Sequence, residues 1–242
     1  MKILHTIYLF FSLFLTENIV FSQDSLQRKH LILKILPLAI FDIDNTFQIA
    51  TEHNLSKNMR WTLSEELGYG ASSANVWAYN SNNDNYGSNR EVYRVKVEAR
   101  RYNLKKNQQM AGGYMAYEVF YKQVNDILNR TVGRECESGP CNYFEEVNYS
   151  ASKYVVGGTV KFGYQCFFRD ENKNNTKFVF DFYVGLGLRR VMIDHRIDAE
   201  VQNNFGFFRN EGIFSNGGLG NRNQTYNIPH VALGIRLGYL LF

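Results

Sequence analysis

Residues 231–242 read VALGIRLGYLLF, and their side chains alternate between two kinds along the stretch. Apolar side chains occupy every second position, and small or charged side chains occupy the positions between them. The apolar set is Val231, Leu233, Ile235, Leu237, Tyr239 and Leu241, and the opposing set is Ala232, Gly234, Arg236 and Gly238. A period of two is the pattern of a β-strand whose faces meet different surroundings. The sequence therefore predicts a strand at this end of the chain.

The same alternation recurs upstream, in stretches such as YRVKVEARRY at 93–102 and DFYVGLGLR at 181–189. Pro37 cannot donate to a sheet ladder, so it separates the first long apolar stretch into two strands. Glu65 is an exception to the pattern, because it falls on the apolar face of its strand. In all, the alternation predicts eight strands, near residues 29–37, 45–55, 59–70, 91–103, 112–124, 152–166, 177–190 and 228–242.

The connections between these strands differ in length at the two ends of the predicted sheet. Those near 38–44, 71–90, 125–151 and 191–227 fall at one end and, apart from the first, are long. Those near 56–58, 104–111 and 167–176 fall at the other end and are short. This asymmetry is typical of outer-membrane barrels. We therefore predict an all-β fold, an antiparallel up-and-down transmembrane β-barrel of about eight strands with both termini in the periplasm.

The N-terminus suggests export. Residues 1–22 are organised as a secretory signal peptide, since Lys2 precedes an apolar segment over 3–15 and Ser22 supplies a small residue for cleavage. A single membrane anchor is the alternative, although the apolar run is short for a span. Residues 23–242 would then form one outer-membrane β-barrel domain. No later run of about 18 apolar residues appears, which excludes a helical membrane protein.

The composition of the 242 residues excludes other classes of protein. Aromatic residues make up 15% of the chain, which argues against intrinsic disorder even though the mean hydropathy is −0.33. The formal net charge is only +4, and the basic residues are scattered among nearly as many acids. Nucleic acid is therefore not an expected partner, because its binding usually requires a concentrated basic surface.

Periodicity leaves open which face is inside, since a soluble barrel also alternates, with charged residues outside. Glycines share the charged face, as Gly234 and Gly238 do beside Arg236. Small residues make room for long side chains in a narrow lumen, which favours charges inside. The predicted lumen charge network is Lys34, Glu52, Glu66, Arg94, Lys96, Glu98, Arg100, Glu118, Lys161, Asp181, Arg189 and Arg236. The alternative is a soluble barrel with these charges in solvent.

Aromatic residues cluster near the ends of the predicted strands. They are Trp61, Tyr69, Tyr102, Tyr121, Tyr154, Phe167, Phe168, Phe178 and Tyr239. In a membrane protein they would form two interfacial girdles, with the apolar body of each ring in lipid. Packing in a soluble core is the alternative.

Few residues suggest a chemical site. Cys136 and Cys141, in CESGPC, could form a disulfide in an oxidising compartment, with a metal pair as the weaker alternative. Cys166 is left over. His195 lies in the acidic stretch MIDHRIDAE and shares a predicted loop with Ser215, which we interpret as a polar loop rather than a metal site or catalytic pair. We expect no catalytic residue, no metal and no cofactor, and the sequence identifies no ligand-binding residue.

The chain resembles small bacterial outer-membrane β-barrel proteins, such as OmpX and the transmembrane domain of OmpA. The resemblance is carried by the predicted signal peptide, the alternating strands and the C-terminal stretch NIPHVALGIRLGYLLF, which ends in Phe242. It implies contact with outer-membrane lipid and lipopolysaccharide, and dependence on the barrel-assembly machinery during biogenesis. It carries over no functional residue.

The sequence therefore predicts an integral outer-membrane barrel with a charge-filled lumen. Its exposed loops would have a structural or envelope-interaction role without catalysis, and their partner is unknown. Two other functions remain open at this point. One is an outer-membrane barrel enzyme acting on lipid acyl chains, and the other is a secreted soluble β-barrel that binds an apolar ligand.

Overall fold

The computed structural model of the protein describes residues 30–41, 45–55, 60–71, 90–103, 110–135, 141–169, 175–196 and 223–241. The strands are β1 (Leu31–Ile35), β2 (Phe47–Asn54), β3 (Trp61–Ala71), β4 (Glu91–Tyr102), β5 (Gly112–Arg134), β6 (Tyr143–Arg169), β7 (Asn175–Arg196) and β8 (Gln224–Leu240). A 3-10 helix, Pro37–Phe41, follows β1. Within these ranges, no helix has the length and apolar character needed to cross a membrane.

Each strand pairs antiparallel with the next in sequence, and β8 pairs with β1 to close the sheet. The structure confirms the predicted all-β class, the antiparallel up-and-down order and the number of strands. The alternation of side chains has a clear cause in this closed sheet, because each strand has one face toward the lumen and one toward the exterior.

The closure of the barrel is staggered. Register partners can be traced around the barrel from Leu33 in β1, strand by strand through β2 to β7, and the trace reaches Pro229 in β8. Across the closing β1–β8 pair, however, Leu33 pairs with Tyr239. The stagger is therefore ten residues, the separation of those two positions in β8. Closure with a stagger requires strands that tilt against the barrel axis, and about eight tilted strands enclose a space just wide enough for side chains.

The two ends of the barrel differ in height. We call the end that carries the β1–β2, β3–β4, β5–β6 and β7–β8 connections the upper end, and the opposite end the lower end. The first residue of β4, Glu91, pairs with Asn125 of β5. Pairing of β5 with β6 continues above that level as far as Arg134 and Tyr143. The β5–β6 hairpin therefore projects beyond the β4 rim.

The long loop predicted over 125–151 is wrong for most of its length, because β5 and β6 occupy it. Residues 143–146 of β6 are all exposed, so neither face of the strand is buried there. With no buried face, the sequence shows no period of two and resembles a loop. The predicted loop over 191–227 is likewise too long, since β7 extends to Arg196 and β8 begins at Gln224.

The wall is incomplete beside β1. Ile35, the last residue of β1, pairs with Leu237, so β1 ends two residues before the predicted boundary at Pro37. Residues 224–236 of β8 pair with β7, but no described strand pairs with them on the β1 side. The 3-10 helix contacts both β8 and β2 across this opening. We call the opening between the 3-10 helix and residues 224–236 the wall gap.

Some predicted features lie outside the described residues. They are the signal peptide over 1–22, Cys136, Ser215 and Phe242. The Cys136–Cys141 disulfide therefore stays a prediction, since no disulfide pair lies wholly within the described residues. Cys166 is a free cysteine in β6.

Candidate functional site

The interior of the barrel is charged and its exterior is apolar. Arg100 and Lys161 point into the lumen and are 0% exposed. On the outer face, Leu233 is 77% exposed and Leu186 is 69% exposed. A soluble ligand-binding barrel has the reverse arrangement. The interior is therefore the candidate site.

A first group of charges, the lower cluster, joins Lys34 and Arg100 to Glu52 and Asp181. Lys34 Nζ donates to Glu52 Oε2 at 2.5 Å and to Asp181 Oδ2 at 3.0 Å. Arg100 Nη1 donates to the same two oxygens, each at 2.9 Å. Gln165 Oε1 accepts a further hydrogen bond from Lys34 Nζ at 2.5 Å. Each carboxylate is thus shared by at least two cations, as buried charges require.

Hydroxyl groups complete the lower cluster. Thr62 Oγ1 and the Tyr102 hydroxyl donate to Glu52 Oε1, at 2.7 and 2.8 Å. The Tyr114 hydroxyl donates to Asp181 Oδ1 at 2.6 Å. Both oxygens of each carboxylate therefore accept hydrogen bonds, which reduces the free-energy cost of burying them.

A second group, the upper cluster, is centred on Glu98. Arg236 Nη2 donates to Glu98 Oε2 at 3.1 Å and to Glu66 Oε2 at 3.3 Å. Lys161 Nζ donates to Glu98 Oε2 at 2.9 Å and also to Glu118. Glu98 and Glu118 are register partners on β4 and β5, so Lys161 bridges two like charges that face each other.

The two clusters form one ion network, because Arg100 Nε donates to Glu98 Oε1 at 2.5 Å. Lys96 joins the network through an ion pair with Glu66. The cations of the network are Lys34, Lys96, Arg100, Lys161 and Arg236, and the carboxylates are Glu52, Glu66, Glu98, Glu118 and Asp181. Its five cations balance its five carboxylates, and each of the eight strands contributes at least one charge.

A glycine makes room for an aromatic ring beside the upper cluster. Tyr183 in β7 and Gly234 in β8 are register partners, and a Cβ on Gly234 would lie 2.4 Å from the Tyr183 hydroxyl oxygen. The ring is held in place by two cations. Lys161 Nζ lies 4.2 Å and Arg236 Cζ lies 4.3 Å from its centroid, within the range of cation–π attraction.

Gly234→Ala is expected to destabilise the folded barrel by about 1–3 kcal/mol, because the new methyl group overpacks the lumen. Urea unfolding of the protein in detergent would measure the change. Gly113→Ala is the matched control, since a Cβ there would meet no atom within 4 Å. Equal free energies of unfolding for the two variants would show that the Tyr183 ring can move at no cost.

The ion network contains ten of the twelve residues predicted for the lumen, and the other two, Arg94 and Arg189, lie above it. Sequence reasoning restricted to charges misses the uncharged members, such as Gln165 and Tyr114. The signal was present, because each shares the parity of a charged residue in its own strand. Gln165 lies four positions from Lys161.

Two residues assigned to the aromatic girdles are wrongly placed. Tyr102 is 2% exposed and bonds to Glu52 inside the barrel, as its common parity with Arg100 should have indicated. Phe167 packs against the buried cluster of Ile32, Met110 and Val179, next to a register irregularity in β6. Phe167 shares the parity of Lys161 and Gln165 in β6, so simple alternation places it on the lumen face, as it does Tyr102.

His195 is also misplaced by the sequence reasoning, because it lies in β7 and not in a polar loop. It is 4% exposed, its ring centroid is 5.7 Å from that of Tyr149, and its backbone N–H donates to Asn223 Oδ1 at 2.6 Å. No group of three or more His, Cys, Asp or Glu side chains suited to a metal ion occurs in the part of the chain that the structure describes.

Above the ion network lies a cavity of about 410 Å³, which we call the upper cavity. Its charged lining consists of Arg94, Lys96, Lys122, Lys161, Arg189 and Glu118. It extends to the wall gap, since Leu36, Leu38, Ala39 and residues 229–235 also line it. The cavity therefore combines a basic interior with an apolar opening in the barrel wall.

No family model, no curated protein and no solved structure matches this chain.

Proposed function

We propose that the protein is an integral outer-membrane β-barrel with a charge-filled lumen, which has a structural or envelope-interaction role without catalysis. The observation that carries the proposal is the combination of an apolar exterior with a buried ion network. Transmembrane barrels have this arrangement, because lipid surrounds the wall and the polar side chains must turn inward.

The apolar exterior extends over several neighbouring strands. Val119, Phe162, Leu186, Leu188 and Leu233 are each at least 60% exposed. Soluble monomers rarely expose large contiguous apolar patches, because their contact with water is unfavourable. Hydrocarbon is the surrounding that suits this surface, which supports a place in the membrane.

Aromatic side chains on the outer face support two membrane interfaces. Near the upper end, Tyr69 and Tyr93 are register partners with ring centroids 5.4 Å apart, and Tyr121 lies nearby on β5. At the lower end, Trp61 begins β3 and Tyr239 lies near the end of β8. Tyr and Trp prefer the headgroup region, where the ring contacts lipid and the polar tip contacts water.

The interior favours a structural role over the other functions considered. A soluble barrel that binds an apolar ligand needs an apolar lumen, whereas Lys34, Arg100 and Asp181 fill this one. An enzyme acting on acyl chains needs a nucleophile within hydrogen-bond distance of a base. The Thr62 hydroxyl lies 2.7 Å from a carboxylate oxygen of Glu52, but Thr62 is 0% exposed inside the lower cluster, so an acyl chain has no access to it. We propose that the upper loops make the contacts with lipopolysaccharide and with envelope partners, and that the barrel-assembly machinery inserts the chain.

A membrane-inserted barrel is expected to fractionate with the outer membrane and to resist extraction by carbonate. The unheated protein should also migrate differently from the boiled protein on an SDS gel, because a closed barrel resists unfolding by detergent at room temperature. A carbonate-extractable protein without a heat-dependent shift would rule out the proposed function.

A further inference from the structure

The upper cavity brings like charges together. Arg94 on β4 and Lys122 on β5 are register partners, and both line the cavity. Like charges directly opposite each other across two strands are destabilising. Four positions lower on the same strands, Glu98 and Glu118 form a like-charged pair, and there Lys161 bridges them. The geometry at Arg94 and Lys122 is the same with the sign reversed, so the group that suits it is an anion.

Arg189 adds a second indication of an anion. It lines the same cavity from β7, and its Nε is buried without a hydrogen-bond partner among the described residues. Lys96 and Lys161 in the cavity lining belong to the balanced ion network, so the cations that the lining adds to that network are Arg94, Lys122 and Arg189. A phosphate group would accept hydrogen bonds from several of these donors at once, and charge-assisted bonds of this kind are strong.

The position of these cations along the barrel axis favours a lipid headgroup as the source of the anion. Arg94 follows Tyr93, and Lys122 follows Tyr121, and these two tyrosines lie on the outer face near the upper end. If those rings mark the interface, as the proposed function requires, the cations lie at headgroup depth. Basic pockets at this depth are suited to lipid phosphates.

The wall gap supplies a route for an acyl chain. Residues 229–235 of β8 line the cavity, and no described strand pairs with them on the side toward β1. Leu36 and Leu38 line the cavity opposite these residues. Irregular or unpaired backbone at membrane depth is tolerated where it lines a cavity or is covered by other groups. Pro229, which has no N–H, reduces the number of donors along this edge. The cavity thus opens toward lipid through an apolar passage.

We propose that the upper cavity binds the phosphate headgroup of an anionic lipid and that the lipid's acyl chain leaves the barrel through the wall gap. The inference rests on the proposed function, because it requires lipid around the wall. A volume of about 410 Å³ is sufficient for a headgroup and the first part of a chain. A free phosphate ion would use the cations and not the apolar passage.

The test uses the full chain folded in dodecyl maltoside micelles and titrated with dodecyl phosphate, with bound amphiphile counted by native mass spectrometry. We expect one dodecyl phosphate per chain. Arg189→Gln and Lys122→Gln should each weaken binding about tenfold, since each removes one charge-assisted contact. Arg190→Gln is the matched control, because Arg190 is the next residue of β7 and is exposed on the outer face. It should bind as the wild type does.

Three results would overturn the inference. The first is wild-type affinity in both Arg189→Gln and Lys122→Gln. The second is inorganic phosphate displacing dodecyl phosphate at equal concentration, which would indicate a site for a free anion. The third is equal binding of dodecyl trimethylammonium by the wild type, a comparison that holds even if the variants do not fold. The heat-dependent gel shift is measured on the same samples, so its absence would count against the membrane location and not against the anion site.

Discussion

Glu98→Gln is expected to lower the free energy of unfolding by about 3–5 kcal/mol, the largest effect of any conservative change in the lumen. Glu98 is 2% exposed and accepts hydrogen bonds from Arg100, Lys161 and Arg236. Glutamine keeps the shape of the side chain and removes the charge, so three buried cations lose their shared counterion. Urea titration in detergent, with the folded fraction read from the gel shift, would measure the loss.

The control for this prediction is Glu145→Gln. Glu145 pairs with Arg134 at 2.8 Å in the projecting hairpin, but its side chain is 49% exposed. Exposed ion pairs contribute little, so a change below about 1 kcal/mol is expected. If Glu98→Gln were as mild as Glu145→Gln, the ion network would not be a source of stability, and the charges would have to be hydrated in the folded protein.

Val119→Arg is expected to reduce the stability of the inserted barrel by about 2–4 kcal/mol, because arginine near the bilayer midplane is costly. Val119 lies on the outer face of β5 between the outward-facing Tyr117 and Tyr121, and it is 65% exposed. The yield of heat-shifted protein folded into phospholipid vesicles, followed against urea concentration, would measure the effect.

Ile127→Arg is the matched control, since it lies on the same strand and the same face. Ile127 is above Asn125, the partner of the first β4 residue, and so it belongs to the projecting hairpin. An exposed surface change of this kind usually alters stability by no more than about 0.5 kcal/mol. Equal effects of the two substitutions would contradict a lipid belt around Val119. Improved solubility of both variants without detergent would instead support a soluble barrel.

The sequence predicts the strand count and the facing of most side chains, because a period of two is a local property. Val97 and Glu98 are assigned to opposite faces by their neighbours alone. The same dependence on local pattern hides the projecting hairpin, since residues 143–146 have no buried face and so no alternation. The predicted C-terminal end of β1 at Pro37 lies close to the observed end at Ile35, because a proline limits a strand directly.

The partners of the charges could not be predicted from the sequence. Glu98 and Arg236 are 138 positions apart, and their contact depends on the ten-residue stagger and on the tilt it imposes. Alternation places both side chains in the lumen, but it does not determine the position of either side chain along the barrel axis. The position of the wall gap also depends on the stagger. The register of closure pairs Ile35, the last residue of β1, with Leu237, and this pair sets the point along β8 above which β1 no longer pairs with it.

The distribution of the network charges over all eight strands has a consequence for the assembly of the protein. A partly formed sheet, with β1 not yet joined to β8, would leave Lys34 without the Asp181 carboxylate and Arg236 without Glu66. Lys34 would keep Glu52 and Arg236 would keep Asp181 on the neighbouring strand, but these pairs would face hydrocarbon instead of a filled lumen, which is unfavourable. Successive insertion of hairpins into open lipid would therefore meet a steep barrier at every step before the last. We expect the chain to fold in a single concerted event within a sheltered aqueous space, with no stable half-assembled state on the way.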